Sequence, residues 1–368
     1  MTEQATLNSQ LPPSRQAMSP TTLGTFYCVL SAGCYGLMNI CQRELSESCD
    51  PIWVNCVQAS VSTVVFGIFL TFTSIRGRSA WPPLSVALGL MALGVITQLG
   101  GASYQWSLGG IGLAIGNPLQ MGVMLAGGAI MGRVLLGERV PWRATIAILF
   151  IVVAIIFLGS GAEEASEAMN AAANNTSETI TVDPAITEGP AIDAKTNVAG
   201  QAVNQPGSML AFWSVLAACF SGVAFATLTV GMRKTATENT SPEAIVFFIN
   251  LMGILFLGPW AMARLGIDGM LATPHRDLTI MLATGVCNLL AFLLLAKALQ
   301  LTTVVRVNTL NNSIATALTV LSGIIIFSEP TNAGLYIGII LTFVGIVLIG
   351  TISSDDEENE QATASSDC

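Results

Sequence analysis

Two groups of side-chain amides stand in sequence that makes them expensive. The stretch GNPLQMG, Gly116 to Gly122, lies in a run from Ile111 to Leu136 that has no acidic residue and one basic residue, Arg133. Asn117 and Gln120 are three apart, so on a helix they share a face. In RVNTLNNS, Asn308, Asn311 and Asn312 again fall on one face. An amide buried in hydrocarbon without a partner loses its hydration and gains nothing in return. Two uses offset that cost: hydrogen bonds between helices, or hydrogen bonds to a polar solute held between them. Further amides occur at Asn39, Asn55, Gln58, Gln98, Gln105, Asn250 and Asn288.

The elements that position these groups are membrane spans. Of 368 residues 52% are hydrophobic and 10% charged, and the mean hydropathy is +0.67, whereas soluble domains carry roughly 25% charged residues. Apolar stretches long enough to cross about 30 Å of hydrocarbon as helix recur at 22–41, 52–73, 84–106, 111–136, 143–161, 209–231, 243–263, 278–298, 302–328 and 333–352. The expected fold is all-α and integral to the membrane, with ten transmembrane helices. A polar segment (1–21), an acidic linker (162–207) and an acidic tail (353–368) lie outside the bundle. Linker and tail hold 13 of the 23 acidic residues, so the net charge of −9 describes appendages and not the core.

With ten spans and the N-terminus inside, ten of the 14 basic residues fall on the cytoplasmic side, as the positive-inside rule requires. This predicts a multi-pass protein of the plasma (inner) membrane with both termini cytoplasmic and the linker outside. All six tryptophans stand near expected helix ends, where an indole anchors at the headgroup layer.

A long-range register divides the bundle. Pro51 and Pro242, Gly94 and Gly285, Asn117 and Asn308, Glu138 and Glu329, and Gly159 and Gly350 are each 191 residues apart. Each half, 22–161 and 208–352, holds five spans. An odd number makes the second half enter from the opposite side, giving two inverted five-helix repeats with a site expected at midplane between them. The register lays Asn117 on Asn308 and Gln120 on Asn311, so the two stripes should face one another.

The five-plus-five arrangement, the segment LLGERVPWRATIAILFIVVAIIFLG and its counterpart IIFSEPTNAGLYIGIILTFVGIVLIG resemble the EamA-type members of the drug/metabolite transporter superfamily. The resemblance covers Thr22 to Ile352. It implies a secondary transporter, permease or exporter, moving a small polar metabolite by alternating access. It also implies that helices 1–4 and 6–9 surround the cavity while helices 5 and 10 face lipid or a second subunit of a homodimer, in keeping with the absence of amides from 5 and 10. The alternative is a channel or a non-transporting membrane scaffold.

The candidate substrate-binding residues are therefore Asn117, Gln120, Asn308, Asn311, Asn312, Gln98 and Asn288. Arg306 and Lys297 flank the turn between helices 8 and 9, either snorkelling toward headgroups or forming a basic mouth for an anionic substrate. Pro118 removes a helical hydrogen bond and frees the Ala114 carbonyl, for a kink or for a ligand. The glycines Gly112, Gly116, Gly128 and Gly132 have the spacing of close helix packing. Glu138 and Glu329 precede helices 5 and 10 and are read as caps, with a coupling-ion role as the alternative. The one histidine, His275, falls in an expected loop, and there is no H-E-x-x-H, phosphate loop or C-x-x-C. Enzymatic chemistry, a resident metal, a cofactor and a nucleic-acid partner are not expected.

Overall fold

The computed structural model describes residues 20–76, 81–136, 207–236, 240–301, 304–331 and 333–345, with scattered helical positions between 146 and 158. The polar N-terminal segment, the linker, the tail, Glu138 and most of the expected fifth span lie outside the described residues. The described elements are helical: α1 (Pro20–Leu45), α2 (Pro51–Ile75), α3 (Leu84–Leu136), α4 (Gly207–Ala236), α5 (Pro242–Met252), a π-helical turn (Gly253–Leu257), α6 (Gly258–Leu271), α7 (His275–Leu301) and α8 (Val304–Ile325). A shorter helix, α9, spans Ala333–Gly345. Among the described residues six stretches are long and apolar enough to cross a membrane.

Ten separate helices are not found among the described residues, and the reason is instructive. The expected third and fourth spans follow one another without a loop in α3, 53 residues whose helical backbone is broken at Gly112, where φ is 75° and ψ 177°. A straight helix of that length would run about 80 Å, far more than a bilayer core. Instead the chain folds back. Asn117 reaches the Tyr104 hydroxyl at 3.2 Å, and Gly116 lies against Leu108, contacts impossible between residues that far apart on one straight helix. Glycine alone adopts this backbone region readily, so a single residue replaces the loop expected at 107–110.

The repeats are antiparallel where they meet. Following α2 from its start, Asp50 pairs with Arg264, Cys56 lies against Gly258, Ala59 against Gly253 and Gly67 against Phe247. The partner numbers fall as α2 rises. Because Pro51 and Pro242 are repeat-related positions, this is the packing of two related segments in opposite directions. Both begin alike: the Asp50 side chain accepts from the N–H of Ile52 and Trp53, and the Ser241 side chain from that of Ala244, each followed by proline at the first helical position.

Helices 5 and 10 are not wholly turned outward. Ala154, Leu158, Leu335 and Thr342 are buried, Gly338 lies against Leu158, and Leu158 and Leu335 join a core with Ile111, Leu119 and Ala218. Their other faces, with Leu149, Ile156 and Ile340, are exposed. Apolar composition hid this division, since residues packed on a helix and residues facing lipid are equally apolar. Trp81, Trp106, Trp213 and Trp260 are exposed, while the Trp53 indole donates to Thr273 at 3.1 Å.

Candidate functional site

The closest-knit polar assembly centres on Glu329. After α8, Ser328 takes a left-handed conformation with φ 49°, and the Glu329 N–H returns to the Gly323 carbonyl at 3.1 Å. This turns the side chain inward. One carboxylate oxygen accepts from Arg43 Nε at 2.9 Å and from the Leu113 N–H at 2.7 Å. The other accepts from the Ala114 N–H at 2.7 Å. Glu329 thus caps the helix restarting after Gly112, where the N–H groups lack intrahelical partners and the helix dipole favours an anion. The expectation that it caps helix 10 is corrected by these bonds. Capping is the right chemistry on a helix from the other repeat, brought near only by the fold. Arg43 also donates to Glu47 at 2.7 Å and lies over the Phe327 ring.

Gly112 and Gly323 make this seat. A Cβ on Gly112 would stand 2.6 Å from the Glu329 carboxyl carbon, and one on Gly323 would stand 2.7 Å from Glu329 Oε2 and 2.8 Å from the Ala114 nitrogen. The Gly112 spacing therefore marks a backbone reversal and not close packing of two spans. Gly128 has no atom within 4 Å of its would-be Cβ.

Beside this assembly runs a chain of amides. Gln105 donates through Nε2 to the Gln42 backbone carbonyl at 2.6 Å; a carbonyl only accepts, so this bond orients the Gln105 amide and leaves its Oε1 as an acceptor. Gln42 in turn donates to Gln58 Oε1 at 3.0 Å, and Asn39 donates to Thr319 Oγ1 at 3.2 Å, joining the first repeat to the second. The buried side-chain amide oxygens of Gln42, Gln105, Asn117 and Asn311 have no hydrogen-bond partner among the described residues. Native proteins rarely leave such atoms unmatched.

The sequence-predicted residues divide as follows. Asn117 is buried and bonded to Tyr104. Gln120 donates to Ser221 of α4 at 2.9 Å, and Gln98 to the Ile249 carbonyl at 3.4 Å; both bonds join helices. Asn311 is buried, while Asn312 and Asn288 are half-buried. Lys297 is exposed. The side chains of Asn308 and Arg306 lie outside the described residues, and with them half of the facing-stripe arrangement. Sequence reasoning passed over Gln42, Tyr104 and Arg43. In sequence Arg43 is one of the four basic residues left on the expected outer side, and its partner is 286 residues away; a basic residue and an acidic residue at the same expected end of the bundle are the available signal.

The chain is thus a multi-pass membrane protein of two related helical units. Residues 22–160 and 212–351 each match the EamA-like transporter family, and the protein belongs to that family of membrane transporters. No curated protein matches it in sequence. A solved structure described only as a crystal structure of protein superimposes with TM-score 0.51 at 14% identity, over 91% of this chain and 98% of that one; at that identity it supports the fold alone.

Proposed function

We propose that this protein is a secondary transporter that moves a small polar metabolite across the plasma (inner) membrane by alternating access. The observation that carries the reading is the set of buried amide oxygens contributed by both repeats and unmatched among the described residues, Gln42, Gln105 and Asn117 from the first and Asn311 from the second. Such acceptors suit a solute bearing several N–H or O–H donors. The inverted repeat supplies the two equivalent packings that alternating access needs. Asn288 and Asn312, half-buried on α7 and α8, complete the proposed lining, with Asn308. Gln98 and Gln120 are assigned to holding the helices that carry it.

The test is transport by the purified full-length protein in proteoliposomes, comparing amino acids, sugars and phosphorylated metabolites. Saturable uptake accelerated by the same solute inside is expected. Flux without saturation would mean a channel, and no flux for any class would mean a scaffold. Orientation is checked separately. A reporter active only outside the membrane is expected to work within 162–207 and to fail after Asp355; activity at the tail would overturn the placement of both termini in the cytoplasm.

A further inference from the structure

Among the described residues three ion pairs join the first repeat to the second, and all stand at one end of the bundle, where α1 ends and α2 begins. They are Glu44 with Arg276, Asp50 with Arg264, and Arg43 with Glu329. They differ in access to water. The side chains of Arg276 and Glu44 are 74% and 42% exposed, those of Arg264 and Asp50 43% and 0%, and those of Arg43 and Glu329 4% each. An exposed pair is screened and weak, so the first cannot hold this end shut. Separating a pair already out of water strands a charge unless water follows, so the Arg43–Glu329 pair dominates. Its geometry adds to this. The one carboxylate grips α1 through Arg43 and the second half of α3 through two N–H groups, from a turn at the end of α8.

We propose that Arg43 and Glu329 are the gating residues of the transport cycle: paired, they close this end of the bundle, and their separation opens it to solute. The proposal rests on the carrier reading above, in which one repeat moves against the other and contacts between repeats at a closed end must break. The route to the amides then passes between α1 and α8, where Asn39 meets Thr319. The register of the repeats gives the pair a counterpart of the same charges, Lys234 and Glu138, each 191 residues from its equivalent. Those side chains lie outside the described residues and carry no part of the proposal.

The test is cysteine accessibility in full-length protein with the native cysteines replaced and Thr319→Cys introduced. Thr319 is fully buried. A membrane-impermeant methanethiosulfonate reagent is applied to right-side-out and inside-out vesicles, so the readout does not depend on orientation. With the pair intact, labelling from the gated side is slow. Glu329→Gln keeps an acceptor for one of the two N–H groups of Leu113 and Ala114, which bond to different carboxylate oxygens, turns an NH2 toward the remaining donors, and leaves Arg43 without its buried anionic partner. It is expected to raise that labelling rate about tenfold or more, well within what loss of one partner of a buried pair can shift. Arg43→Gln should act in the same direction, and the double variant should add little to the larger single effect. Should either Gln variant fail to accumulate, Arg43→Lys, which keeps the charge and loses the planar fork, is expected to give a smaller rise. An unchanged labelling rate in correctly inserted variants overturns the gate. Because labelling needs no solute, the two readings fail separately: faster labelling with no flux for any solute would overturn the carrier reading and leave the pair only as a latch that closes this end, and saturable flux with unchanged labelling would keep the carrier and overturn the gate.

Discussion

Gly112→Ala is expected to be severely damaging for a single added methyl, with a large loss of folded yield and a clear drop in thermal midpoint in detergent. Two costs combine. The backbone at Gly112, φ 75° and ψ 177°, lies in a region that side-chain-bearing residues enter at about 1–3 kcal/mol. The added methyl would also meet the Glu329 carboxyl carbon at 2.6 Å and push the carboxylate off two N–H groups and a buried guanidinium. Disrupting a buried pair costs about 3–5 kcal/mol, against a total stability of about 5–15 kcal/mol for a typical fold. Gly128→Ala is the control. It has open space at its Cβ and no positive φ, so it should leave the midpoint unchanged or slightly raised, since alanine favours helix. Equal midpoints for the two variants would show that the reversal at residue 112 does not seat Glu329.

Asn117→Leu is expected to lower solute affinity about 5- to 150-fold, the range that corresponds to leaving a buried polar partner unmatched at about 1–3 kcal/mol. Asn117 is 1% exposed, its Nδ2 donates to the Tyr104 hydroxyl, and its Oδ1 has no partner among the described residues. Gln120→Leu provides the contrast. Gln120 donates to Ser221 across the α3–α4 contact, so its loss should reduce thermal stability with little change in affinity. Binding measured beside the melting midpoint separates the roles. If both variants lose stability and keep affinity, GNPLQMG is packing chemistry and the solute is held elsewhere in the bundle.

The Asn117 and Gln120 variants test a division between neighbours three residues apart, which periodicity could not make. Asn117 and Gln120 share a helix face in sequence, yet one meets the Tyr104 hydroxyl of the folded-back half of its own helix and the other a serine of α4. Helical spacing gives direction around an axis. It does not say which neighbour stands there.

The amino-acid sequence by itself determined the class of the protein and its division. Length and hydropathy of the apolar runs depend only on the cost of taking backbone and side chains into hydrocarbon, and the 191-residue register is a property of the chain read as a string. Both hold before any helix packs. The tertiary structure alone decided what the charged residues near the membrane do. Glu329 has a cap's chemistry in sequence, but the N–H groups that it caps lie 215 and 216 residues away, and its counter-ion lies 286 away. A carboxylate binds whatever donors the fold brings within about 3 Å. Proximity across the repeats is set by packing, to which local sequence is blind.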